Sequence, residues 1–195
     1  MQLDSVCVFS GSALGTRPEY RCAAAAFGAT LAQTGRRLIY GGGAIGLMGL
    51  TADAALASGG EVVGVIPEFL SRREIRHDGL TALHVVPSMH ARKALMAELA
   101  DAFVALPGGL GTLDELCEIL TWSQLGLHVK PVGLLNVLGY FDPLVAQIDR
   151  AILEGFCRPE HRALFVVESD SATMLERLAT QALPAVRKWL DADQV

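Results

Sequence analysis

The sequence predicts an α/β fold: a doubly wound, Rossmann-like parallel sheet with helices on both faces, built by residues 1–195 as one domain. Three observations predict it. Short β-branched runs alternate with helix-forming stretches along the chain, and the connections between them are short. The strand runs are continuously apolar, which is the pattern of a sheet covered on both faces. The chain is 195 residues long and 51% hydrophobic, enough for one domain with a sizeable core.

In chain order, Val6 to Phe9 is the first strand. Thr16 and Pro18, with Glu19 following, open an alanine-rich helix to about Gln33 that Gly35 ends. Arg37 to Tyr40 is a strand, a helix covers about Leu47 to Ser58, and Glu61 to Ile66 is the third strand. The charged stretch from Pro67 to Gly79 reads as a loop with a helical turn near Phe69 and Leu70. Leu83 to Val86 is a strand, and Ser88 caps a helix to about Ala100. Phe103 to Leu106 is the fifth strand, and a helix after Thr112 reaches about Gln124. Val132 to Leu135 and Phe165 to Val167 are the last strands. Asp142 with Pro143 starts the helix between them, and a final helix begins near Ser171.

The formal net charge of −5 argues against a general nucleic-acid or anionic-membrane binder. Cys7, Cys22, Cys117 and Cys157 are scattered, with no Cys-x-x-Cys pair, and His77, His84, His90, His128 and His161 have no metal-ligand spacing. Neither metal nor cofactor is therefore expected, and the cysteines read as buried apolar groups in a reducing compartment. No signal peptide and no stretch of about 20 apolar residues is present, so the expected location is the cytoplasm.

Three glycine-rich turns each follow a strand and precede a helix: Ser10-Gly11-Ser12, Gly41-Gly42-Gly43 running on to Gly46, and Pro107-Gly108-Gly109-Leu110-Gly111. A parallel sheet puts all three on its carboxyl edge, where such folds bind ligands. There, backbone N–H groups and a helix N-terminus suit an anion. Gly41, Gly43 and Gly46 have the dinucleotide spacing, but the strand that should supply an acidic residue ends Val65-Ile66-Pro67. No Gly-Lys-Ser/Thr follows any turn. The expected ligand is a mononucleotide or a sugar phosphate rather than NAD or ATP with magnesium. No Gly-x-Ser-x-Gly elbow supports Ser10 or Ser12 as a nucleophile.

Two charged residues stand out. On the helix from Met89, a step of about 100° per residue places Arg92 between Leu99 and Met96, inside the apolar stripe, with Lys93 at its margin. Arg92 also sits near the helix start, where the dipole disfavours a cation, and a guanidinium forks well onto phosphate. Thr112 to Glu115 matches a capping box, which would fix the Glu115 carboxylate beside the third glycine turn. Asp114 and Glu118 read as solvated, and Trp122 as an aromatic on the outer face that suits a subunit interface or a pocket wall.

Pro107-Gly-Gly-x-Gly-Thr-x-x-Glu115 together with Met89-His-x-Arg-Lys93 resembles the LOG (Lonely Guy) family of cytokinin-activating phosphoribohydrolases. The resemblance extends to Phe9-Ser-Gly-Ser12, Gly41-Gly-Gly-x-x-Gly-Leu-Met48, Gly64-Val-Ile-Pro67 and Thr121-Trp-Ser-Gln-Leu-Gly126, from about Val6 to Pro159. It implies hydrolysis of the N-glycosidic bond of an adenosine 5′-monophosphate, giving free base and ribose 5-phosphate. Carried over, Arg92 and Glu115 are the catalytic pair. Glu74, Arg92, Lys93, Gly108, Gly109, Leu110, Gly111, Thr112 and Thr121 bind the nucleotide, with Ser10, Gly11, Gly42 and Gly43 added from the turns. The resemblance also implies a homodimer. A "lysine decarboxylase" label attached to many relatives is discounted, because no lysine has a recognisable pyridoxal-phosphate context. The competing reading is a nucleotide or molybdenum-cofactor carrier on the same scaffold, which has no use for Arg92 and Glu115 together.

Overall fold

The computed structural model describes residues 3–71 and 76–184. Within them, seven strands form one parallel sheet: β1 (Ser5–Phe9), β2 (Arg37–Tyr40), β3 (Val62–Pro67), β4 (Ala82–Val86), β5 (Ala102–Ala105), β6 (Val132–Leu135) and β7 (Phe165–Glu168). The helices are α1 (Pro18–Gln33), α2 (Gly46–Ala57), α3 (Glu68–Ser71), α4 (Met89–Leu99), α5 (Leu110–Gln124), α6 (Asp142–Leu153) and α7 (Ser171–Thr180). The sheet order is β4-β3-β2-β1-β5-β6-β7, so the chain winds outward from β1 and then returns to the other side of it. The expected doubly wound α/β architecture is present.

Successive side chains of a strand point to opposite faces, and this divides the core in two. Val6 and Val8 of β1 face a cluster with Phe27 and Leu31 of α1 and Met174 and Leu178 of α7. Cys7 and Phe9 face the other cluster, with Met96 of α4 and Leu116 and Ile119 of α5. The closest helix pair is α1 and α2. A Cβ on Gly28 would lie 2.1 Å from the Thr51 carbonyl oxygen, so a side chain there would force the two backbones apart.

Several boundaries and caps differ from the sequence reading. Residue Arg17, not Thr16, is the N-cap of α1, and Pro18 supplies the pre-set φ of its first position. The β4 strand is half exposed rather than covered on both faces, with Val85 at 53% exposure, because it is the sheet edge. Trp122 is half-buried against the α4–α5 core instead of standing free on the outer face. Two 3₁₀ turns, Val137–Gly139 and Pro159–Leu164, carry no repeating apolar pattern and were not expected. The N-cap of α4 is as anticipated, with Ser88 Oγ accepting from the Ala91 N–H at 3.1 Å. Among the described residues, no helix is long and apolar enough to cross a membrane.

Candidate active site

The reversal of strand order falls between β1 and β5, and a parallel sheet opens a crevice there beyond its carboxyl ends. The turns after β1, β2 and β5 meet at that point. The Gly11 N–H donates to the Pro107 carbonyl at 3.1 Å, and the Gly11 carbonyl accepts from the Leu47 and Met48 N–H groups at 2.9 and 3.3 Å. These turns touch through their backbones. A Cβ on Gly108 would lie 2.8 Å from the Gly11 nitrogen and 2.1 Å from Thr112 Oγ1. Gly46, at φ +65°, presses on the Ser12 carbonyl carbon, 2.2 Å from where its Cβ would be.

Beneath the turns lies a cleft of about 400 Å³, within the range of small-ligand sites. Its polar lining comes from Ser10, Ser12, Gly41, Gly43, Gly109, Gly111 and Thr112, and its apolar lining from Ile45, Met48, Ile66, Leu70, Met89 and Leu110. Arg92, Asp114 and Glu115 complete it. The first turn of α5 lines this space, and its N–H groups have no carbonyl a turn earlier within the helix, a setting that suits an anion.

Arg92 and Glu115 are each only 7% exposed, and Arg92 Nη2 stands 3.2 Å from Glu115 Oε1. The glycine at 41 makes this arginine position available: a Cβ there would sit 1.8 Å from Arg92 Nη2. Arg92 Nε is buried without a hydrogen-bond partner. Burial pushes the Glu115 carboxyl above its ordinary 4.5, with Asp114 and Glu118 adding to the rise while Arg92 and Lys93 oppose it.

The expected capping box does not form. The N-cap of α5 is Gly109, with no side-chain cap, so Thr112 is already inside the helix. Helix formation begins directly out of the glycine turn, three residues earlier than anticipated, and Glu115 is left to pair with Arg92 across the cleft. Of the other residues expected at the site, Ser10, Gly43, Gly109, Leu110, Gly111 and Thr112 line the cleft together with that pair. Gly11 and Gly108 stand behind it, lining a smaller pocket with Tyr20 and Tyr140. Gly42 turns its α-carbon toward Ile66 and Leu83, and its carbonyl accepts from the His77 N–H at 2.9 Å.

Lys93 faces α5 rather than the cleft lining, its Nζ lying 3.0 Å from both Asp114 Oδ2 and Glu118 Oε2. Burial alone would lower its pKa, but the bonds to Glu118 and Asp114 outweigh that and raise it. Asp114 and Glu118, read as solvated, are thus engaged. Thr121 lies at the far end of α5, in a groove with Cys117, Leu120, Leu144 and Ile148. Glu74 lies outside the described residues. Leu70, which with Phe69 reads from the sequence as a plausible wall residue, does line the cleft. Gly41, Ser12, Ile45, Met48, Ile66 and Met89 were not singled out as site residues, although Gly41 and Ser12 belong to the glycine turns and Met48, Ile66 and Met89 to the motifs that carry the family resemblance.

A family model described as "Possible lysine decarboxylase" matches residues 48–178. A cytokinin riboside 5′-monophosphate phosphoribohydrolase of Rhodococcoides fascians is 54% identical over 167 residues, 85% of this chain and 84% of its own. The chain belongs to the LOG family. A second LOG relative, the cytokinin riboside 5′-monophosphate phosphoribohydrolase LOG1 of Arabidopsis thaliana, is 47% identical over 89% of this chain and 81% of its own. Among solved structures, the molybdenum cofactor binding protein of Rippkaea orientalis superposes with a TM-score of 0.70 at 24% identity, covering 92% of this chain and 98% of that one. At that identity the likeness shows the fold alone. As for the decarboxylase description, no lysine lines the cleft among the described residues.

Proposed function

We propose that the chain hydrolyses the N-glycosidic bond of adenosine 5′-monophosphates, N6-modified ones included, releasing free base and ribose 5-phosphate. The observation that carries this reading is the buried Arg92–Glu115 pair beneath a backbone phosphate cradle, in a chain whose relatives are named phosphoribohydrolases. Departure of the base leaves positive charge on the ribose, as in other glycoside cleavages. Water then forms the new bond to C1′, and the electron pair of the broken C1′–N bond leaves with the base, which takes up a proton.

Glu115 as carboxylate stabilises the developing charge and orients the attacking water. Arg92 cannot give up a proton, so it acts through charge and its free Nε–H, a donor for the phosphate or for a ring nitrogen of the departing base. The first-turn N–H groups of α5 and the glycine turns hold the phosphate, and Lys93 holds Asp114 and Glu118 in place beside them. The apolar wall of Ile45, Met48, Ile66, Leu70 and Met89 is suited to the base and to an apolar N6 substituent. Incubation with AMP and with an N6-prenylated AMP should release the free base from at least one. Recovery of both nucleotides intact would refute hydrolysis and leave the carrier reading.

The functional unit is a homodimer in this reading. Helix α6 is amphipathic yet has no buried residue, and Leu144 and Ile148 on it open an apolar groove with Cys117, Leu120 and Phe165. A second copy would cover it, and Thr121 in the same groove would then lie at the interface. Sedimentation at micromolar concentration should give twice the chain mass of 20.7 kDa; a monomer would remove this part of the reading.

A further inference from the structure

The carbonyl of Gly108, in the turn that starts the phosphate cradle, is held from outside the cleft. The Tyr140 hydroxyl donates to it. We infer that Tyr140 is a positioning residue for the phosphate cradle: it fixes the Gly108–Gly109 peptide so that the Gly109 N–H faces the ligand. The inference rests on the hydrolase reading above.

In a trans peptide the carbonyl and the following N–H lie in one plane and point to opposite edges. All peptides of the described chain are trans. Gly109 lines both the cleft and the smaller Tyr140 pocket, and holding the Gly108 carbonyl toward Tyr140 turns the Gly109 N–H to the opposite edge of the peptide, away from that pocket. A peptide between two glycines has no Cβ on either side to resist rotation, so its orientation must be imposed. Gly11 fixes the preceding carbonyl, that of Pro107, and Tyr140 fixes the next one.

The tyrosine is itself held by a tight segment between β6 and α6. The Asn136 side chain accepts from the Phe141 N–H and donates to Asp142 Oδ1, both at 2.7 Å. Leu138, at φ +54°, is the one non-glycine residue with positive φ among the described residues, and Gly139 follows at φ +72°. A leucine held in that region is costly and persists only where its surroundings enforce it. The Tyr20 ring packs edge-on against Tyr140 with centroids 5.7 Å apart, and the Phe141 ring lies edge-on to it at 5.1 Å. The Tyr140 ring, though 37% exposed, thus has two aromatic neighbours, and its hydroxyl reaches one backbone oxygen 32 residues away in sequence.

Tyr140→Phe removes the donor and keeps both ring contacts. For AMP hydrolysis, KM for AMP and the inhibition constant of ribose 5-phosphate should rise together by about three- to tenfold, the equivalent of one lost hydrogen bond. kcat should stay within about twofold, because binding shared by ground and transition states affects KM. The inhibition constant of adenine, which has no phosphate to reach the turn, should not change. Unaltered constants for AMP and ribose 5-phosphate, with wild-type turnover intact, would overturn the inference alone. An equal weakening of adenine would overturn it too, by showing a general distortion of the cleft. A wild-type chain that releases base from neither AMP nor an N6-prenylated AMP would remove the activity and the inference together; if only the prenylated nucleotide is turned over, the same constants are read with it.

Discussion

Glu115→Gln is expected to abolish measurable base release while leaving ribose 5-phosphate binding within a few-fold of wild type. A positioned acid or base typically contributes about 10²–10⁴-fold, and glutamine keeps the size and the hydrogen-bonding oxygen while losing the charge. In the same experiment the wild-type pH profile gives a second reading. Burial raises the Glu115 pKa above 4.5, so its protonated form persists to higher pH than in an exposed glutamate. A reaction that needs the carboxylate therefore falls away on the acid side at a pH above 4.5. Base release by Glu115→Gln at the wild-type rate, or an acid limb at or below that value, would count against the role given to this carboxylate.

Gly41→Ala is expected to cost nearly as much, although residue 41 contributes no functional group. The new Cβ would lie 1.8 Å from Arg92 Nη2 and 2.8 Å from its Cζ. The guanidinium is the end of a long flexible side chain, so it can yield without unfolding the sheet, but yielding moves it off Glu115. Misplacement of a reacting group by about 1 Å can cost about 10²-fold. The predicted result is a loss in kcat/KM of about that size, with a melting temperature within a few degrees of wild type. Full activity in this variant would show that the arginine does not have to stand where the structure puts it.

Much of this was legible in the sequence, for physical reasons that differ from residue to residue. The parallel sheet and the gathering of the glycine turns on its carboxyl edge follow from alternating elements and parallel pairing, which leave few topologies open. Arg92 could be found because a helix wheel exposes a charge inside an apolar stripe, and the structure buries that residue with Met96. Glu115 was placed at the right edge for the wrong local reason. The capping pattern needs Thr112 at the helix boundary, but Leu110 and Gly111 are already helical despite glycine's poor propensity. The ion pairs of Lys93 were not legible because its partners, Asp114 and Glu118, sit on another helix, and a single-helix pattern cannot see across to it. Tyr140 gave no signal: its role depends on a turn whose spatial proximity exists only once β6 lies beside β5.

The hydrogen bond from Gly11 to Pro107 closes a loop of nearly a hundred residues, and this governs when the protein can first do anything. Helices α1 and α2 can pack on β1, β2 and β3 as soon as those segments exist, since their contacts are nearby in the chain. The phosphate cradle cannot appear by then. Its last wall waits for β5 to insert beside β1, matching Val6 to Ala102 and Phe9 to Ala105. Long-range parallel pairing of this kind is intrinsically slow, because chain entropy must be lost before the contacts that reward it form. Ligand binding is therefore a late event on the folding route, and a nascent chain can be largely structured while it is still inert.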